Sequence, residues 1–312
     1  MNVVDHLKQA KSPLVSFEII PPERGGNIQD LLSVVEELLR YRPPFIDVTS
    51  HAAELISVDT TDGAVQKTLR KRPGTLGLCA LLQHKYHVDT VPHVLCHGFT
   101  REETEDFLLE ISYLGIDNVL ALRGDSKYQK PISALKTTNT YAVDLVRQIK
   151  ALNEGNFLST DLKGTSTHFS IGVAGYPEKH SEAADLLTDI QHLKEKVDAG
   201  ASYIVTQMFF DNSHYFSFVQ QCQAVGISVP IIPGLKVLTS QKQLENLPRS
   251  FAISLPDELR EEVRKADPRY CAGIGVEWAV QQIKDLRSQG VLAVHLYVMQ
   301  NVKPIHAVLE KL

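Results

Sequence analysis

Several apolar, β-branched runs of this 312-residue chain carry a single polar residue inside them or at their ends. Glu18 lies within VSFEII and is followed by Pro21 and Pro22. A carboxylate in such a run is costly to bury without a partner, and burial raises its pKa, which suits it to donate a proton. A salt-bridged strand residue would fit the same pattern. Asp47-Val48-Thr49 ends a second run, and His93 sits in TVPHVLC. Arg123-Gly124-Asp125 closes NVLALRG, Tyr176-Pro177-Glu178 follows FSIGVAG, and Gln207 interrupts VTQMFF. Each has a plainer reading: a core histidine, a strand-ending turn, an amide bonded to backbone.

A further stripe, Asp185, Asp189, His192 and Lys196, repeats at helical spacing one position behind Leu186, Ile190, Leu193 and Val197. It is either a solvated helix flank or a wall on which Lys196 holds an anion. The Ser181 helix start is a possible phosphate site. Other chemistries are excluded. The chain has no G-x-x-x-x-G-K-[ST], and Gly273-Ile274-Gly275 lacks the third glycine of a dinucleotide fingerprint. There is no H-E-x-x-H and no G-x-S-x-G; His84 and His87 are a weak metal signal, so no metal site is expected. Cys79, Cys96, Cys222 and Cys271 lie far apart and read as reduced, mostly buried thiols.

These polar groups need a scaffold. Strands are expected over 15–20, 45–50, 90–96, 118–124, 169–175, 203–210, 229–235 and 293–299, several of them apolar throughout, as in parallel sheets covered on both faces. Between them lie helical patterns. Thr100 and Glu103 make a capping box, with Gly115 as the stop; a second helix opens at Ser181 and closes at Gly200; a third carries Val276, Val280 and Ile283 and ends near Gly290. Eight strands alternating with helices predict an α/β fold of the (β/α)8 TIM-barrel type, and a barrel collects its chemistry at the C-terminal ends of its strands.

One domain over 1–312 is expected, with rim insertions at 73–89 and 153–167. With 32 Lys and Arg against 37 Asp and Glu, the net charge is −5 and no basic face stands out, which argues against a nucleic-acid partner. No apolar run is long enough to span a bilayer and the N-terminus lacks a signal-peptide core, so a cytoplasmic protein away from membranes is expected.

The polar residues, in this order, resemble the methylenetetrahydrofolate reductase family. The likeness begins at Ser16-Phe17-Glu18-Ile19-Ile20-Pro21-Pro22 and runs through Val48-Thr49, Pro92-His93, Ala121-Leu122-Arg123-Gly124-Asp125 and Tyr176-Pro177-Glu178-Lys179-His180. Lys196-Val197-Asp198-Ala199-Gly200-Ala201, Thr206-Gln207-Met208-Phe209-Phe210-Asp211, Ile231-Ile232-Pro233-Gly234 and His295-Leu296-Tyr297 complete it. The resemblance implies a barrel holding FAD that reduces 5,10-methylenetetrahydrofolate to 5-methyltetrahydrofolate with NADH or NADPH by a ping-pong cycle, feeding methionine synthesis.

The same resemblance gives Glu18 the part of general acid and Asp125 that of the carboxylate between flavin and pterin. It gives Thr49 to the nicotinamide nucleotide, Gln207 to folate and nicotinamide, and Gln243 to folate. FAD contacts would come from Ala52, His93, Arg123, Gly124, Asp125, Tyr141, Ala142, Tyr176, His180, Ala183, Asp189 and Lys196, with Arg123 and Lys196 meeting the pyrophosphate. A homo-oligomer is implied.

The chain departs from the family pattern at Ser50-His51, His192, Glu195, Leu247 and Asn301, changes expected to touch affinity rather than chemistry. Its end at Leu312 leads to the expectation that the regulatory domain of eukaryotic members, which binds adenosylmethionine, is missing. Two other readings remain: a flavin barrel acting on proline-like amines, and a non-catalytic folate-binding protein.

Overall fold

The computed structural model describes residues 1–60, 63–124, 137–159 and 162–312. Its strands are β1 (Leu14–Ile19), β2 (Phe45–Val48), β3 (Glu54–Thr60), β4 (Gly63–Leu69), β5 (Asp89–Leu95) and β6 (Asn118–Leu122). They continue as β7 (Ser170–Gly175), β8 (Tyr203–Thr206), β9 (Ile231–Ile232), β10 (Gly234–Leu235) and β11 (Ala293–Met299). The helices are α1 (Val3–Gln9), α2 (Ile28–Leu39), α3 (Leu76–Tyr86), α4 (Arg101–Tyr113), α5 (Ala142–Asn153) and α6 (Leu186–Asp198). After them come α7 (Asn212–Ala224), α8 (Gln243–Phe251), α9 (Asp257–Lys265), α10 (Cys271–Ser288) and α11 (Lys303–Leu309).

Nine parallel strands run in the order β10-β11-β1-β2-β5-β6-β7-β8-β9. The two ends of that order are the two halves of one strand. β9 pairs with β8 (Ile204↔Ile231) and β10 with β11 (Gly234↔His295), so the sheet closes and the fold is a (β/α)8 barrel. Pro233 divides the halves because it has no N–H to give the ladder. Its carbonyl accepts from His295 N at 2.9 Å, and Gly234 N turns inward to Thr206 Oγ1 at 2.9 Å. A Cβ on Gly234 would sit 2.2 Å from the Thr206 carbonyl oxygen, so the close crossing of β8 requires glycine.

The barrel floor is apolar: Phe45, Val91, Leu120, Tyr203, Val205, Ile232 and Ala293 fill it, and Val3 of α1 closes it from below. The Tyr203 ring occupies the space a side chain on Gly172 would need, since a Cβ there would lie 2.4 Å from it. α1 is tied down where Val3 N donates to Asn118 Oδ1 at 2.8 Å and the Met1 ammonium meets Asp89 at 2.9 Å.

Some expectations change. Residues 73–89 are no insertion: they hold α3, the crossover helix itself, with Leu78, Cys79 and Leu82 buried against the barrel. The added element of that crossover is the antiparallel hairpin β3–β4, absent from the expected strands, whose two strands pair with each other and not with the barrel. Residues 153–167 are a connection in which Asn156 and Lys163 make an isolated bridge, while the Asn153 side chain ties Phe169 through bonds of 2.9 Å.

The second predicted helix opens at Asp185, not Ser181, because the Asp185 side chain accepts Thr188 N at 2.7 Å and aspartate caps at least as well as serine. The strand expected to reach residue 210 stops at Thr206. Beyond it, Met208 and Phe210 leave the barrel wall for a second apolar cluster under α8, α9 and α10. Among the described residues no helix is long and apolar enough to cross a membrane, and all four cysteines are buried and free.

Candidate active site

Parallel pairing sets Glu18 of β1 level with Asp47 of β2 on one side and Tyr297 of β11 on the other. Neighbours in register point to the same face of a sheet. Glu18 and Asp47 accordingly meet inside the barrel, with His93 of β5 between them. Its Nε2 lies 3.5 Å from Glu18 Oε2 and 3.5 Å from Asp47 Oδ2. The side chain of Glu18 retains 12% exposure, that of His93 6% and that of Asp47 none.

Burial dominates the electrostatics. It raises Glu18 to about 7; His93 and Lys236 oppose that rise and Asp47 adds to it. Asp47 is likewise pushed up to about 7 by burial, against the pull of His295. The same dry surroundings hold His93 and His295 below the usual imidazole range. Among the described residues, both Asp47 oxygens, His93 Nε2 and His295 Nε2 have no hydrogen-bond partner. His295 Nδ1 shares a hydrogen bond of 2.8 Å with Ser16 Oγ.

Around this centre, Tyr297 donates to the Thr206 carbonyl at 2.6 Å, and Lys236 Nζ to the Tyr297 carbonyl at 3.4 Å. Thr49 is buried with its hydroxyl unpartnered among the described residues, just beyond β2. Gln207 turns its Oε1 to Met208 N at 2.9 Å. Gln243 accepts from Thr239 N at 2.6 Å and lines a cavity of about 340 Å³ with Lys236, Tyr297 and Asn301.

A second cavity, of about 450 Å³, opens where β6 and β7 end beneath α5 and α6. Eight of the residues expected to meet the cofactor line it: Arg123, Tyr141, Ala142, Tyr176, His180, Ala183, Asp189 and Lys196. His192 and Glu195 line it too. Lys196 donates to the Ala174 carbonyl at 2.8 Å, and burial brings its pKa down to about 8 against the attraction of Asp189. Asp189 accepts His180 N at 2.9 Å, and the Tyr176 and His180 rings meet edge to face at 4.8 Å. Arg123 is gripped in fork geometry by Glu182, with one bond at 2.7 Å.

The remaining expected contacts lie elsewhere. Ala52 packs against Gly98, where a Cβ would come within 2.9 Å of it, and His93 borders a smaller cavity of about 200 Å³ beside His51, Arg70 and Phe99. Gly124 takes φ +83, a left-handed turn that favours glycine. Asp125 lies outside the described residues. Asp47 and His295, which the sequence marks only as a strand-end polar residue and as part of the family likeness, join the site without an expected role, and Lys236 and Glu182 join it with no mark in the sequence at all. Asp47 carried a signal, since it interrupts an apolar strand just as Glu18 does; nothing in the spacing marked Glu182 as the partner of Arg123.

A parallel barrel with an acid inside it and a cavity holding Arg123 and Lys196 among three carboxylates where its strands end is a scaffold of the (β/α)8 class. The chain matches the family model for methylenetetrahydrofolate reductase over residues 3–312, and it belongs to that family. It is 30% identical to the 5,10-methylenetetrahydrofolate reductase of Pectobacterium carotovorum subsp. carotovorum, covering 96% of this chain and 89% of that protein. To methylenetetrahydrofolate reductase 1 of Schizosaccharomyces pombe it is 30% identical, over 95% of this chain and 45% of the relative. The chain thus spans about half the length of the fungal, plant and nematode relatives it matches.

Among solved structures, an uncharacterized protein from Clostridium thermocellum that binds two copies of 5-methyl-5,6,7,8-tetrahydrofolic acid superposes with a TM-score of 0.58 at 12% identity, covering 98% of this chain and 96% of that one. Oxaloacetate acetylhydrolase superposes at 0.53 with 8% identity, over 98% of this chain and 82% of its own. At such identities the likeness is one of fold.

Proposed function

We propose that this chain reduces 5,10-methylenetetrahydrofolate to 5-methyltetrahydrofolate with NADH or NADPH as reductant and FAD as carrier. Membership of the family supports the reading, as does the folate bound by the Clostridium thermocellum protein of like fold. Relatives named for NADH and for NADPH support a pyridine nucleotide. The observation that carries it is Glu18, a carboxyl set inside the barrel beside His93 and Asp47 that keeps 12% exposure and is raised by burial.

A carboxyl raised that far keeps its proton well above the usual carboxylate range, which suits an acid that must both give and regain a proton. Glu18 would protonate the bridging nitrogen of the folate, so that the five-membered ring opens and the one-carbon unit becomes able to accept hydride. Thr49, Gln207 and Gln243 would orient the two reactants, which use the same mouth in turn.

The cavity under α5 and α6 suits FAD in its donor set. Arg123 and Lys196 offer cations for a pyrophosphate, Ala183 and Leu122 add apolar wall, and Tyr176 and His180 present rings. Glu182 is about half exposed and holds Arg123 in a fork that a phosphate would displace. Held there by Arg123 and Lys196, FAD would supply two-electron redox chemistry. Asp125 is proposed as a folate contact.

The test is anaerobic titration of the FAD-supplemented protein with NADH, followed by methylenetetrahydrofolate. Flavin absorbance should bleach and then recover. Glu18→Gln should bleach normally and recover slower by roughly a hundredfold or more, the usual size of a lost general acid. Recovery of that variant at the parental rate would remove Glu18 from the reaction, and a wild-type protein that never recovers would remove the folate.

A further inference from the structure

Asp47 has no part in the reaction described so far, yet it is the most deeply enclosed carboxyl at the site. Neither of its oxygens has a hydrogen-bond partner among the described residues, and none of its side chain reaches solvent. An ionised carboxylate in that position would be costly, so the residue holds on to its proton. Glu18, by contrast, keeps some exposure of its side chain. One imidazole nitrogen, His93 Nε2, faces both at 3.5 Å.

We propose that Glu18, His93 and Asp47 form a proton-sharing cluster in which Asp47 reloads Glu18 through His93 Nε2 while a reactant covers the barrel mouth. The inference rests on Glu18 being the acid of the proposed reaction. Asp47 is a positioning residue in this scheme: it touches no reactant and acts through its neighbours.

The step balances. Glu18 gives its proton to the folate nitrogen and becomes a carboxylate. The Asp47 O–H breaks as the His93 Nε2–H forms, and the short-lived imidazolium lies between two carboxylates that stabilise it. The Nε2–H then breaks as the Glu18 O–H forms. Asp47 is left ionised inside the barrel. It is refilled by the reverse path, from water through Glu18, once product leaves.

The surrounding groups tune the cluster without replacing it. From β11, His295 attracts the Asp47 carboxylate, and its own pKa is held down by burial. Lys236, past β10, attracts the Glu18 carboxylate and is itself lowered by burial. Tyr203 of β8 and Tyr297 of β11 are raised well above the usual phenol range by burial, and the Cys79 thiol of α3 is likewise pushed up, so all three stay neutral. His93 is the imidazole that reaches both carboxyls, and His295 faces Asp47 alone.

Infrared difference spectra of the full chain, recorded across neutral pH, test this without any turnover. Neutral carboxyl C=O stretches from two buried acids should disappear in two coupled steps as pH rises through neutrality. Glu18→Gln and Asp47→Asn should each remove one. In Asp47→Asn the remaining Glu18 band should titrate at lower pH, because the negative neighbour that raises it has gone.

An unmoved Glu18 midpoint overturns the proposal, because the two carboxyls would then not share one site. Should Asp47→Asn fail to fold, His93→Gln serves: the Glu18 band should then titrate at higher pH, because the imidazole that opposes its rise has gone, and an unmoved band overturns the cluster. In single-turnover folate reduction above neutral pH, Asp47→Asn should slow the step roughly tenfold with folate affinity unchanged, less than the loss of Glu18 itself. An unchanged rate there would also overturn it. Coupled carboxyls in a protein that does not reduce folate would leave the cluster standing and sink the proposed reaction alone.

Discussion

Glu18 and Asp47 are each a carboxyl within an apolar strand, and their surroundings separate their tasks. Both are raised to about 7 by burial, but only Glu18 keeps any exposure of its side chain. The raised values bear on stability. The folded chain holds protons on these groups that the unfolded chain releases near the ordinary carboxylate pKa. The stabilisation is therefore complete below about pH 4 and is lost as pH rises through about 7. Asp47→Asn removes the cost of ionising a sealed carboxyl, so the variant should gain on the parent as pH rises from 5 to 8.5, by on the order of 2–4 kcal/mol. Thermal melts of both proteins across that range check the sign; a difference that stays constant with pH would mean Asp47 is not raised. At the cofactor cavity, Lys196→Ala should weaken FAD binding by roughly tenfold or more, the size of one lost charge-assisted hydrogen bond. Recovery of flavin fluorescence on dilution measures it.

The elements that place these residues owe their ends to local chemistry. α4 begins in a complete capping box, with Glu103 N donating to Thr100 Oγ1 at 3.1 Å and Thr100 N to Glu103 Oε2 at 2.8 Å. Thr100→Ala should cost about 1 kcal/mol, seen as a lower urea midpoint at unchanged slope. α6 shows where local signals compete: serine and aspartate both offered a start, and the aspartate side chain took the free N–H. α10 crosses the loop after β10 so closely that a Cβ on Gly275 would lie 1.8 Å from the Leu238 carbonyl oxygen. Gly275→Ala has to move backbone rather than a side chain, and a loss of more than 2 kcal/mol is expected in the same titration.

At the scale of the molecule, the site exists because the sheet closes. β1 meets β11 from the far end of the chain, and that pairing sets Tyr297 beside Glu18. Closure also seals the floor, where α1 sets a fully buried Val3 against the base of the barrel. Val3→Asp should therefore destabilise the whole barrel by about 3 kcal/mol or more, because a charge would enter a closed apolar floor. A single cooperative transition at lower denaturant tests this. Loss of α1 alone, with the strands still protected from hydrogen exchange, would show the plug to be separable.

The sequence by itself determined the eight-strand alternation, the α4 cap and the residues bearing polar groups at strand ends, because each of these is written in a few neighbouring residues. Glu18, Arg123 and Lys196 could be picked out in that way. Only the tertiary structure decided which groups meet: His93 between Glu18 and Asp47, Glu182 on Arg123, Lys236 near Glu18. Those contacts join distant strands and depend on register and closure, which no local pattern encodes. The split at Pro233 was decided there as well, because a missing N–H matters only once neighbouring strands stand on either side. Burial followed last. A carboxyl becomes a near-neutral acid only when the barrel has excluded water from around it.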